Sequence, residues 1–375
     1  MTSSTSCLNK AGLSLLLALV LMSGCAGRLP AAGEGTPAGG RKARVVVLPV
    51  HNLTGGPAPL KDIRASAEKM LGSGGLDVVD DAAIEKAMAA HRIRYTGGID
   101  HEGAAAFREE LGADAVLITT VEHYSEANPP KISVNMRLDN TGAEPAILWT
   151  DTVGMAGDDH PGLLLLGLIE DPKVLTEKAL GRLTGSLMGY LSGGDGGQGC
   201  PPGGKYGPKV FYRSPSFNPG GRYSVAVLPF LNTGERKNAG EILALEFVRQ
   251  LSTLDNITVV EPGLVREKLL SYRVIMEGGV SLDTAGVVLD TLEADLVLSG
   301  NVLDYEDYQG LYGTAKIGFS ALMIERKDRA VVWESRSYDE GDENVYFFDV
   351  GKLNTTGQLA CRMIGSVIGR MAAKR

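Results

Sequence analysis

From residue 44 onward the apolar positions fall into runs of three kinds. Val45–Val50 and Val225–Phe230 are short continuous runs rich in β-branched residues, as in a strand covered on both faces. In each, a proline is followed three residues later by an asparagine (Pro49 and Asn52, Pro229 and Asn232), which predicts a chain leaving the sheet edge and turning. Helical spacing comes next. Gly240–Leu254 sets Ile242, Leu245, Val248 and Leu251 on one face, and Leu60–Leu71 is a shorter, less apolar counterpart. Short strands at Asp77–Asp80 and Thr258–Glu261 follow, then helices at Ala82–Ala90 and Leu264–Leu270. Gly-Gly turns lead to helices Glu102–Leu111 and Asp283–Leu292, and to apolar strands Ala115–Thr120 and Leu296–Gly300.

The last third of each series switches to period two. Ile132, Val134, Met136 and Leu138 alternate with Ser133, Asn135, Arg137 and Asp139, which predicts a half-buried antiparallel strand. Asn140-Thr141-Gly142 supplies a turn and Ile147–Thr150 the returning partner. Ala315, Ile317, Phe319, Ala321 and Met323 repeat the alternation, with a turn near Lys327-Asp328 and a return at Val331–Glu334. Closing helices are expected at Lys173–Leu191 and Leu353–Lys374. Strands and helices in sequence followed by a hairpin give an α/β fold, each unit a mixed sheet with packed helices and a C-terminal hairpin plus helix.

The two series are one unit used twice. Arg44–Pro49 reappears as Ser224–Pro229 at an offset of 180, and Leu76–Asp80 as Ile257–Glu261 at 181. Leu111–Leu117 matches Leu292–Leu298, the two tryptophans Trp149 and Trp333 match at 184, and Arg182–Gly189 matches Arg362–Gly369. Between them, residues 192–222 concentrate Gly, Pro and Ser and are expected to form a linker. The homologous domains are therefore 44–191 and 223–375.

The front of the chain reads as an address. Lys10 precedes a twelve-residue apolar stretch, Ala11–Met22, which is short for a bilayer and suited to a secretory leader. It runs into Met22-Ser23-Gly24-Cys25, which resembles the bacterial lipobox, with Met22 in the place usually held by Leu. Residues 1–25 are thus expected to be a lipoprotein signal peptide, with Cys25 acylated, and 26–43 a flexible tether. Several acyl chains at ~0.8 kcal/mol per buried CH2 anchor durably. By resemblance to lipoprotein sorting in Gram-negative bacteria, Ala26 after the cysteine points to the outer membrane, periplasmic face.

Composition narrows the rest. With 44% hydrophobic and 22% charged residues in 375, the chain has an ordinary globular make-up. A net charge of −8 argues against nucleic acid as a partner, because gripping phosphate needs a basic face. Four cysteines without CxxC pairs indicate neither a zinc site nor a disulfide scaffold. Cys200 and Cys361 remain as a candidate disulfide in an oxidising compartment.

No catalytic, cofactor or metal constellation emerges. The five histidines (His51, His91, His101, His123, His160) all lie in the first copy, form no ligand pair, and read as exposed loop residues. Ser186 and Ser366 lack a nucleophile elbow and read as packing residues. Asp114 and Asp295 read as turn or cap residues. Gly181, Gly185 and Gly189 suggest a helix packed tightly on a sheet, and Leu163–Ile169 either core or a contact patch.

The VAVLPF-x-N opening at 225–232, the VVE strand at 259–261, LEADLVLSG at 292–300 and the hairpin with its returning Trp333 resemble a bacterial envelope superfamily. It includes the N-terminal domain of TolB, the curli-secretion lipoprotein and the penicillin-binding-protein activator lipoprotein. The resemblance implies a non-enzymatic periplasmic domain that docks other envelope proteins on a lipid tether. The expected function is accordingly an interaction or assembly module of the outer membrane. A subunit of an oligomeric curli-type channel, and a small-ligand binder or enzyme between the domains, stay open as alternatives.

Overall fold

Three consecutive valines in Arg44–Val47 (β1) form a strand with neighbours on both sides, and the first sheet grows around it. A computed structural model describes residues 42–159, 167–194, 200, 204–274, 288–308, 313–343, 345 and 351–373. The leader, Cys25, nearly all of the tether, His160, Leu163–Leu166 and the 278–279 Gly pair lie outside the described residues.

In chain order β1 is followed by His51–Asn52 (β2), Leu60–Ser73 (α1), Asp77–Val78 (β3), Asp81–Ala90 (α2) and His101–Leu111 (α3). Then come Ala115–Ser125 (β4), Lys131–Asn140 (β5), Ile147–Ala156 (β6) and Pro172–Leu191 (α4). The sheet order is β3-β1-β4-β5-β6, with β1 parallel to β3 and β4 and the remaining pairs antiparallel. Pro49 does not mark a sheet edge: β1 is internal, and β2 pairs with β4 again after the proline.

The second copy begins with an additional strand, Val210–Arg213 (β7). It continues with Tyr223–Val227 (β8), Leu231–Asn232 (β9), Ala239–Leu251 (α5), Ile257–Val259 (β10) and Pro262–Ser271 (α6). Leu296–Glu306 (β11), Lys316–Glu325 (β12), Val331–Glu340 (β13) and Thr356–Ala372 (α7) complete it. Its order, β10-β8-β11-β12-β13, reproduces the first sheet, and β7 is added at the β13 edge. The two halves are tandem copies of one mixed α/β plan.

Each sheet is sandwiched. In the first, α1 and α4 cover Val45, Val47, Val134, Met136 and Trp149, while α2 and α3 cover Val46, Leu48, Val116 and Ile118. In the second, α5 and α7 cover Val225, Phe319, Met323 and Trp333, and α6 packs on Ala226, Leu228 and Val297. α7 starts with a capping box of Thr355 and Gln358, which satisfies donors its first turn leaves open.

Two expectations change. The 192–222 segment is built into the second half where it is described. β7 pairs with β13, Arg213 donates to the carbonyls of Met371 and Ala373 at 2.8 and 2.6 Å, and Phe217 stacks on Tyr223. Pairing and stacking of this kind recover the ordering entropy that the Gly- and Pro-rich composition suggested could not be offset. The glycine stripe of α4 is not a packing face either: a Cβ at Gly181, Gly185 or Gly189 would meet nothing within 4 Å.

Candidate functional site

Alternation along β5 predicts a half-buried strand, yet Ser133, Asn135, Arg137 and Asp139 are each at most 1% exposed. The second copy covers them. Arg137 reaches Asp139 (2.9 Å) on its own strand and Glu261 (2.7 Å) of the second copy, and donates to Gly97 O at 3.1 Å. Glu261 is the N-cap of α6. It accepts from Leu264 N (3.0 Å) and, across the junction, from Ile99 N (3.2 Å). A Cβ on Gly98 would lie 2.6 Å from Gly263 N, so the two backbones meet here without room for a side chain. Burial pushes the Glu261 carboxyl up to about 8 against the pull of Arg137, and burial likewise raises Asp139. One guanidinium thus serves two buried carboxyls.

A second contact forms at the β6 edge. Gln358 donates to Gly154 O (3.3 Å) and Asp159 (2.8 Å), and Asn354 to Asp159 (3.2 Å). A Cβ at Gly154 would stand 2.8 Å from Thr355 Oγ1. Nearby, buried Arg249 pairs with Glu246 (2.6 Å) and Asp151 (3.7 Å), and Ser186 donates to Asp151 at 2.8 Å. Cys200 and Cys361 come together against Arg249 with Cα atoms 5.4 Å apart and their sulfurs in bonding contact. With Glu246 they form the one group among the described residues whose ligand atoms converge as for a metal. Bonded sulfurs are not thiolates, however, and a guanidinium sits against them.

The four described histidines are half-buried and paired, not exposed loop residues. His51 faces Glu241 (3.3 Å), His101 faces Glu267 (2.8 Å) and His123 faces Asp307 (3.1 Å), each an acid of the second copy. His91 pairs within the first copy, with Glu110. The His123 contact helps hold Asp307 down to about 2 against the cost of burial. Position-by-position comparison of the copies carries this signal in the sequence: histidines occur in only one.

The corresponding hairpin face of the second copy is partly open, with Leu322 and Ile324 half-buried. Where the first has Glu122, Arg137, Asp139 and Gly154, the second has Leu303, Leu322, Ile324 and Tyr338. Leu303 is 44% and Tyr338 63% exposed, and Arg336 is exposed beside them. Val210 lies opposite Arg336, and Tyr212 opposite Glu334, so β7 extends this face with side chains 52% and 47% exposed. Tyrosine and arginine among scattered aliphatics make up the composition of interface cores.

Asp114 and Asp295 accept from the amides of Arg44 and Ser224 (2.8 Å each) and so fix the start of each central strand. No family model matches the sequence, and no curated protein matches it. Solved structures do resemble parts of it. The PelC dodecamer of Paraburkholderia phytofirmans is 17% identical over 44% of this chain and 97% of its own, with a TM-score of 0.31. A lipoprotein of Neisseria meningitidis is 17% identical over 34% of this chain and 88% of its own, TM-score 0.27. The LpoB C-terminal domain of Escherichia coli is 17% identical over 30% and 82%, TM-score 0.25. Likeness at this level does not decide an activity. Among the described residues no helix is long and apolar enough to cross a membrane.

Proposed function

We propose that the chain is a non-enzymatic docking module of the bacterial outer membrane, anchored by lipid on Cys25 and facing the periplasm. Its docking surface is the open face carrying Val210, Tyr212, Leu303, Arg336 and Tyr338. The observation that carries this reading is internal: the equivalent hairpin face of the first copy is already a packing surface, filled by the second copy. The occupant of the open face is a different protein. Tyr338 stands where Gly154 admits Thr355 and Gln358, so the same contact cannot be repeated there.

The channel alternative needs strands of about 9–11 residues with an apolar side toward lipid. β4–β6 and β11–β13 have 10 or 11 residues, more than the seven to nine that alternation suggested. Their faces speak against it: both sides of β5 are buried in protein, and the outward side of β13 carries Glu334, Arg336 and Glu340.

A photo-crosslinking residue at Tyr338 or Tyr212, in cells, is expected to capture one envelope protein, whereas one at exposed Lys178 on α4 captures none. Equal capture at all three sites, or none, refutes the surface. A Cys25→Ser chain is expected in the soluble fraction; its retention on membranes after a carbonate wash refutes the anchor.

A further inference from the structure

One place in the duplicated plan is filled in the first copy and hollow in the second. In the first, Arg64 of α1 lies across the end of β1, 9% exposed, and donates twice to Val47 O, at 3.1 and 2.8 Å. Glu68 (2.9 Å) and Asp81 balance its charge. The buried triplets Ile63, Ala67, Leu71 and Leu243, Phe247, Leu251 put the helices in register, and β1 and β8 match through their pairing with β4 and β11. Val47 then corresponds to Val227, Arg64 to Ala244 and Glu68 to Val248. Asp81 corresponds to Pro262, each the residue after the N-cap of its helix.

All four second-copy residues line one cavity of about 310 Å³, and Leu245, Val265 and Leu269 add to its apolar wall. The cavity lies between helices α5 and α6, beyond the carboxyl ends of β8 and β10. Its volume is at the lower end of the range for small-molecule sites. The arginine is gone, yet the strand carbonyl it capped in the first copy keeps its place.

A carboxylate stands in the same wall. Glu241 accepts from Tyr95 OH at 3.1 Å and faces His51 Nε2 at 3.3 Å, while the Arg266 guanidinium lies 4.3 Å from the centre of the Tyr95 ring. Against the cost of burial, His51, Tyr95 and Arg266 keep Glu241 ionised. Glu241 thus offers a carboxylate in place of the Glu68 and Asp81 pair, shared with His51 and with the Arg266 guanidinium that lines the same cavity.

We propose that this cavity binds a small aliphatic cation, a short alkyl chain ending in a guanidinium or primary ammonium group, which takes the place Arg64 fills in the first copy. The chain lies against Val248, Val265 and Leu269. The cationic head donates to Val227 O and faces Glu241.

Titration calorimetry on the detergent-solubilised full chain tests this, with n-butylguanidinium and n-butylammonium as probes and n-butanol as the uncharged control. The cations are expected to bind at least tenfold more tightly than butanol. Ala244→Arg, which supplies the group from within, is expected to abolish binding, and Glu241→Gln to weaken the cations about tenfold without affecting butanol, the effect of one lost charge-assisted contact. Ala244→Leu, a smaller filling change, should also block the site and guards against misfolding of the arginine variant. Equal affinity for butanol, no binding of either cation, or binding that survives Ala244→Leu overturns the proposal. So does binding confined to an arginine within a hexapeptide, which would make the site a peptide pocket.

Discussion

The two copies share strand order, register and helix placement, yet their hairpins meet opposite fates. In the first, the outward side of β5 holds Ser133, Asn135, Arg137 and Asp139 in a sealed polar layer. In the second, the matching positions are Gly318, Ser320, Leu322 and Ile324, buried or half-buried, and the face opens toward Leu303, Arg336 and Tyr338. The edges differ as well: β6 is flanked by Thr355 and Gln358 of the second copy, whereas β13 is covered by β7. A duplicated unit here does not give two equivalent surfaces. One copy uses its hairpin to hold the pair together, and the other leaves Leu303 and Tyr338 of its hairpin exposed.

The largest expected effect comes from breaking the sealed layer. Arg137→Met leaves Asp139 and Glu261 buried without their cation and should cost about 3–5 kcal/mol in urea unfolding, the range for orphaning a buried ion pair. The sharper variant copies the second hairpin: Arg137→Leu with Asp139→Ile and Glu261→Gln removes the guanidinium and both carboxyls together. It is expected to recover most of that loss, because a well-packed apolar replacement of a buried ionic cluster is often neutral. A triple variant no more stable than Arg137→Met would mean that the layer serves in some way beyond charge balance.

Next is the cross-link. Cys361 occupies the position of Gly181, so the first copy shows what the final helix does without a partner cysteine. A bond from Cys200 to Cys361 spans a sequence separation of 161 and would tie the connecting segment to α7. Cys361→Ser is expected to lower stability by about 2–4 kcal/mol, and intact-mass measurement of the wild type to show a gain of two hydrogens on reduction. An unchanged mass refutes the bond.

Periodicity and internal repetition made the fold legible. The offsets of 180 to 184 located both sheets, both tryptophans and both closing helices, because the core positions of the copies obey the same packing. The junction was illegible to periodicity, since a polar residue every second position looks the same whether water or a partner surface covers it. What betrays the cover is asymmetry: Arg137 and Asp139 against Leu322 and Ile324, and Gly154 against Tyr338. The role of 192–222 was missed for a different reason. β7 has only four residues and draws its stability from β13, so nothing local announces it.

A last contrast separates the copies by pH. Glu122 sits at the bulge of β4, 2% exposed, where the second copy carries Leu303. Burial pushes its carboxyl up to about 8, opposed by the hydroxyl of Ser133, which donates at 2.7 Å. A raised folded value means the native chain holds a proton that the unfolded chain, titrating near 4.5, has given up. The Glu122 contribution is therefore complete below pH 4.5 and drains away as pH rises toward 8, at most about 1.4 kcal/mol per pH unit. Glu122→Gln should flatten that part of the stability curve, and Glu261, also raised to about 8, accounts for slope that persists. Urea unfolding of both proteins at pH 5, 6.5 and 8 reads the difference. Parallel curves would mean that Glu122 is solvated in the native state, and that the first hairpin is less tightly sealed than the contrast with Leu303 requires.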